Sequence, residues 1–170
     1  MPQALTCAFP TPTGSLTGWP GALVSWGVSD PGNVGTLVRT AAAFGWAFGF
    51  TPGTADPWSP KVLRAGAGAQ FRAWPIPVST VDALTGAGYD AVAMVVEGGQ
   101  PVDRLGTGRY AVLVGEEAAG LPHDVVEQAA TRVTIPMPGG TESLNAAVAA
   151  AIVVYELSKD RAPGVEYGER

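Results

Sequence analysis

The chain has 170 residues, a length that buries one sizeable core and seldom two, and its 46% apolar and 15% charged residues exclude the disordered class. One cysteine, Cys7, and one histidine, His123, exclude a disulfide framework, a zinc site of thiolates and imidazoles, and nucleophilic catalysis by Cys/His or Ser/His pairs. A net charge of −5 speaks at first against a nucleic-acid partner, because such proteins carry a basic footprint.

The charge is unevenly distributed. Residues 31–75 hold Arg39, Lys61, Arg64 and Arg72 against Asp56 alone, a local balance of +3 that leaves the remainder at −8. This is either one basic region on an acidic body or four scattered, solvated cations. No apolar run approaches the roughly 20 residues that span a bilayer. The N-terminus has neither basic residues nor an unbroken apolar stretch for export. A cytoplasmic protein without a membrane partner is expected.

Residues 1–20, rich in proline, glycine and threonine and without periodicity, read as a flexible N-terminal arm. The folded domain is expected over residues 21–159. ALVSWGV, from Ala22, is a buried strand; VGTLVRTAAAF is a helix closed by Gly45; WAFGF is a short strand. KVLRAGAGA reads as a weak helix, and FRAWPIPV as an extended segment whose prolines place it at an edge. TVDALTGAG predicts a short helix, DAVAMVVEG a strand followed by a polar turn, and YAVLVG a strand apolar enough to be buried on both faces. PHDVVEQAA predicts a helix and RVTIPM a last strand. SLNAAVAAAIVVYELS predicts a helix with Leu144, Val148, Ile152 and Tyr155 along one stripe. The tail, residues 160–170, is expected to be disordered. Alternation of this kind implies an α/β fold with a mostly parallel sheet flanked by helices.

Three segments put polar residues just after a strand, where open α/β sheets bind ligands: SDPGNVGTLVRTAAAFG, VGEEAAGLP and IPMPGGTESLNAAVAAAIVVYE. Each alone has a plain structural reading: a helix with a solvated Arg39, a glycine-bounded turn, and a loop in which Ser143 or Asn145 caps a helix. No GxGxxG follows a strand, so a nicotinamide cofactor has no support.

In this order the three resemble the motifs of the SpoU or TrmH branch of the SPOUT methyltransferases, DPxNxGxxxRTAxxFG, GxExxGL and IPMxGxxxSLNxxVAxAIxxYE. SPKVLRAGAGAQF resembles the family's stretch between the first two, so the likeness covers about residues 22–158. The chain departs from the pattern in small ways, with Ala146 and Ala147 where relatives often have Val and Ser.

The resemblance implies a C-terminal trefoil knot, one of the few exceptions to unknotted topology. It implies S-adenosyl-L-methionine as cofactor, held in the knot by loops that begin near Gly115, Ile135 and Leu144, with Ile135, Met137 and Leu144 flanking the adenine. It implies methylation of a ribose 2′-hydroxyl in RNA, with tRNA favoured over rRNA, and a homodimer whose RNA site draws on both chains. By motif position Arg39 is central, with Asn33 holding Arg39 or the ribose, Glu117 orienting the guanidinium, and Ser143 and Asn145 completing the polar rim. An arginine stays protonated in a protein, so Arg39 would stabilise negative charge developing on the 2′-oxygen, or pin the adjacent phosphate, rather than take the proton. A catalytically silent knotted RNA-binding or scaffold protein is the alternative. Retention of Asn33, Arg39, Glu117, Ser143 and Asn145 speaks against it, and a methyltransferase for another hydroxyl is a third possibility.

Overall fold

Among the described residues seven short strands, β1 (Ala22–Ser25), β2 (Ala47–Phe50), β3 (Ile76–Pro77), β4 (Asp90–Met94), β5 (Gln100–Pro101), β6 (Tyr110–Val114) and β7 (Thr131–Thr134), form one sheet in the order β3-β2-β1-β6-β4-β7-β5. Every pairing in it is parallel, as the α/β reading expects. The computed structural model describes residues 14–159. Most of the expected arm, residues 1–13, and the expected tail, residues 160–170, lie outside the described residues.

Strand alternation divides the core into two layers. Leu23, Phe48, Val92 and Val112 face one way, packed with Val34, Leu37 and Val38 of helix α1 (Pro31–Ala43) and Ala150, Val153 and Val154 of helix α6 (Ala146–Ser158). Ala22, Val24, Ala47, Ala91, Ala111 and Leu113 face the other way, under α4 (Val81–Gly86) and α5 (His123–Gln128). Register makes these layers continuous, since Leu23 is paired with both Phe48 and Val112, and Val112 with Val92. Both faces are covered, which is why the strands read as unbroken apolar runs.

The first motif folds as its residue types require. The Asp30 side chain caps α1 by accepting from the Asn33 backbone N–H at 2.8 Å, Pro31 opens the helix, and Gly45, at φ +64°, follows its end. Gly35 has no side chain because none fits: a Cβ there would stand 2.4 Å from Ala65 Cβ and 2.7 Å from the Gly66 nitrogen. Helix α2 (Pro60–Ala65) therefore rests directly on the α1 backbone.

Four segments differ from the sequence reading. The last helix, expected from Ser143 with Leu144 on its stripe, begins at Ala146 after the Asn145 cap, and Ala147, Ala150, Val153, Val154 and Leu157 face the core while Val148, Ile152 and Tyr155 are exposed. Phe71, Arg72 and Ala73, expected in an extended stretch, belong to the short helix α3 (Gln70–Ala73), and only Ile76–Pro77 forms the edge strand. The reason is local: buried Gln70 donates from Nε2 to the carbonyls of Pro57 and Val62, which folds the segment back on α2. The expected polar turn after β4 contains β5, paired with β7 at the opposite edge. Residues 14–20 are tied down: the Tyr89 hydroxyl donates to the Leu16 carbonyl at 2.5 Å, and Arg109 donates to the Trp19 carbonyl while stacking on the Tyr89 ring. No helix among the described residues is long and apolar enough to cross a membrane.

Candidate functional site

A cleft of about 270 Å³ opens at the C-terminal ends of β4, β6 and β7, neighbours at one side of the sheet. All four residues expected at a cofactor, Gly115, Ile135, Met137 and Leu144, line it. Ile135 and Met137 are half-buried, and Leu144 offers an exposed apolar edge. Gly115, Ala118, Ala119, Gly120 and Ala146 contribute so little side chain that the wall there is mostly backbone. Gly115 itself is buried, and a Cβ on it would lie 2.2 Å from the Gly120 carbonyl carbon. The turn 115–120 closes on itself: Gly120 N–H donates to the Glu116 carbonyl at 2.8 Å, and Gly120 takes φ +68°.

Beside the cleft three polar side chains from distant parts of the chain meet. Asn33 Nδ2 donates to Glu117 Oε1 at 2.7 Å. Asn145 Nδ2 donates to the same oxygen at 2.7 Å and to Asn33 Oδ1 at 2.9 Å. Asn145 Oδ1 meanwhile accepts from the N–H groups of Ala147 and Val148, capping α6. One amide thus starts the last helix and clamps the first and second motifs together. Glu117 also lines the cleft, as does Ser143, whereas Asn33, Asn145 and Arg39 do not.

Arg39 stands apart from this cluster. It is exposed on α1, six residues beyond Asn33, and makes no side-chain hydrogen bond or ion pair among the described residues. Asn33, expected to hold Arg39 or the ribose, and Glu117, expected to orient the guanidinium, bond in this chain to each other and to Asn145. An asparagine amide and a carboxylate at hydrogen-bonding distance satisfy each other without an added cation.

Some residues of the site were not singled out from the sequence. Met94, Val95 and Val96 line the cleft, and the signal for them was the C-terminal end of a strongly apolar strand, read only as core. Ser29 donates to Glu116 Oε1 at 3.2 Å, a second link between the loops after β1 and β6. Among the described residues no group of His, Cys, Asp and Glu is arranged to hold a metal ion.

An open parallel α/β sheet with a loop-built cleft at its strand ends, and a polar cluster gathered from three motifs, defines a ligand-binding α/β domain of enzyme type. The sequence model of the SpoU rRNA Methylase family matches residues 21–155, and the chain belongs to that family. It is 36% identical over 164 residues to the 23S rRNA (guanosine(2553)-2′-O)-methyltransferase RlmP of Bacillus subtilis, a match over 92% of this chain and 65% of that protein. The AdoMet-bound rRNA methyltransferase of Sinorhizobium meliloti superimposes with a TM-score of 0.78 at 30% identity, over 84% of this chain and 57% of that one. A structure concerned with 2′-OH methylation of C/U34 on tRNA gives 0.74 at 29% identity, over 83% of this chain and 95% of that one. The chain thus spans less than two thirds of the length of the Bacillus and Sinorhizobium proteins.

Proposed function

We propose that the chain transfers a methyl group from S-adenosyl-L-methionine to a ribose 2′-hydroxyl of RNA. One observation carries this reading: Glu117 belongs at once to the wall of the cleft and to the Asn33–Asn145 cluster, so a ligand in the cleft would lie against a carboxylate that is hydrogen-bonded to the first and third motifs. The donor set fits the cofactor. Ile135, Met137 and Leu144 offer apolar surface for a planar base, the backbone-walled turn 115–120 allows close approach, and Glu117 brings a carboxylate toward a cationic group. The cleft volume lies near the lower end of the roughly 300–1,000 Å³ of small-molecule sites.

The cofactor, when bound, supplies an electrophilic methyl group. The remaining task belongs to the protein and concerns the weakly acidic hydroxyl. Glu117 Oε1 accepts from the amides of both Asn33 and Asn145, which orients the carboxylate, and Asn33 has its amide toward it. Arg39, always charged, would stabilise the negative charge growing on the 2′-oxygen as its proton leaves to phosphate or water. Ser143 completes the rim from the cleft side.

Arg39 would complete the site through a homodimer. The exposed stripe of α6, Val148, Ile152 and Tyr155, is 41–58% exposed, opposite the buried face Ala147, Ala150, Val153, Val154 and Leu157. A helix apolar on both faces is one that expects cover on both. The knot expected from the family is part of the same proposal, as is a place in the cytoplasm.

Two RNA classes come first for assay: tRNA, as the sequence resemblance favours and as the neighbour active on C/U34 supports, and 23S rRNA, the substrate class of the Bacillus relative. Purified protein with methyl-labelled S-adenosyl-L-methionine and each RNA, followed by nucleoside mass spectrometry, should yield a 2′-O-methylated nucleoside. Cofactor binding without transfer to either RNA would favour the silent scaffold.

A further inference from the structure

The surface formed by α2 and α3 has no role in the reading above. Residues 57–74 carry Lys61, Arg64 and Arg72 and no acidic residue, on a chain whose net charge is −5. All three cations are exposed, and none makes an ion pair or side-chain hydrogen bond among the described residues. Lys61 and Arg64 follow at i, i+3 on α2 and so share a face.

The same lobe exposes aromatic rings. Phe71 and Trp74 are 48% and 40% exposed, and Phe71 meets the Trp58 ring edge-on with centroids 5.7 Å apart. Trp74 takes φ +44°, ψ 84°, a left-handed conformation that a bulky residue rarely adopts and that glycine would accept without strain. Strain of this kind collects where a side chain has work to do. The lobe is also rigidly placed. It rests on α1 through Gly35, two residues after Asn33 and one helical turn before Arg39, on nearly the same face as Arg39.

We infer that this lobe is a docking surface for single-stranded RNA, with Phe71 and Trp74 stacking on bases and Lys61, Arg64 and Arg72 on phosphates. Cations interleaved with exposed rings are what a single strand needs, since stacking tolerates any base and charge tracks the backbone. The complement is favoured by contrast: the body elsewhere is acidic and would repel phosphate, so RNA is steered to this side. The inference rests on the proposed RNA substrate, and it places the strand on the Arg39 side of α1.

The test uses the full chain, a fluorescent mixed-sequence single-stranded RNA of roughly 20 nucleotides and a duplex of equal length, with anisotropy measured across a salt series. Wild type should prefer the single strand. The variant K61Q/R64Q/R72Q should bind it at least about tenfold more weakly, with a log–log salt slope shallower by about two, as expected for three lost phosphate contacts on a single strand. Phe71→Ala and Trp74→Gly should each lose about 5- to 100-fold, with an unchanged salt slope. In each variant calorimetric affinity for S-adenosyl-L-methionine should stay at the wild-type value, and the KM for RNA should rise far more than kcat falls. Folded variants that bind RNA as wild type does, a wild type that ignores the single strand, or variants that change only the oligomeric mass would each overturn the surface. Failure of the proposed reaction reads differently: RNA binding would follow the predicted variant pattern while no methyl group is transferred.

Discussion

Asn145 and Glu117, 28 residues apart in the chain, are joined by a 2.7 Å hydrogen bond from an amide whose other end starts helix α6. Helix capping and site assembly thus share one side chain, and substitutions can separate them. Asn145→Asp keeps a good cap, since aspartate serves at that position as well as asparagine. It removes the donor to Glu117 and sets two carboxylates against each other. The expected result is a melting temperature within a few degrees of wild type and methyl transfer lowered by about 10² or more, the scale for losing a preorganised polar contact. Asn145→Ala should in addition lose about 0.5–2 kcal/mol of stability with the cap. Full activity in Asn145→Asp would make Asn145 a cap and nothing more.

Arg39 offers a cleaner separation of chemistry from binding. It is exposed and does not line the cleft, so Arg39→Ala should fold and bind cofactor normally. Single-turnover methyl transfer at saturating cofactor should nevertheless fall by about 10²–10³. Arg39→Lys should recover little, because lysine keeps the charge without the planar fork. Equal rates for wild type and alanine variant would leave Arg39 a solvated residue on α1.

Two glycines of one turn predict opposite outcomes. A Cβ at Gly115 would collide with Gly120 and Leu121 backbone atoms at 2.2–2.4 Å, which cannot yield as a flexible side chain can. Gly115→Val should therefore reshape the wall of the cleft and reduce cofactor affinity at least about tenfold, a loss of about 1.4 kcal/mol read by calorimetry. Gly120 has free space around it and only its φ of +68° to defend. Gly120→Ala should cost about 1 kcal/mol of stability and leave cofactor affinity within a few-fold.

The proposed dimer predicts a light-scattering mass of twice the 17.3 kDa chain at micromolar concentration. Tyr155 already leans edge-on against Phe44, with ring centroids 6.3 Å apart, so the stripe continues from α6 onto the end of α1. Ile152→Asp, placing a charge in the middle of it, should shift the mass to the single chain without unfolding it, because Ile152 is not in the core. A wild type at the single-chain mass would remove the dimer.

Sequence by itself determined the α/β class and most of the strands and helices, while Gly115, Ile135, Met137 and Leu144 came to the cleft only through the family resemblance. The elements are local properties: runs buried on both faces, a capping residue such as Asn145, and a helix-ending glycine such as Gly45. It could not determine how FRAWPIPV divides, because the helical turn at Gln70 depends on hydrogen bonds to Pro57 and Val62. Nor could it say which face of α6 meets the core. That helix is apolar nearly all round, so periodicity allows either face, and docking on α1 and the sheet selects Ala150, Val153 and Val154. The polar cluster was beyond reach for a related reason. Asn33, Glu117 and Asn145 are brought together because β1 and β6 are neighbours in the sheet and α6 begins beside their loops; nothing in the chain near Asn33 encodes that its partner is Glu117 rather than Arg39.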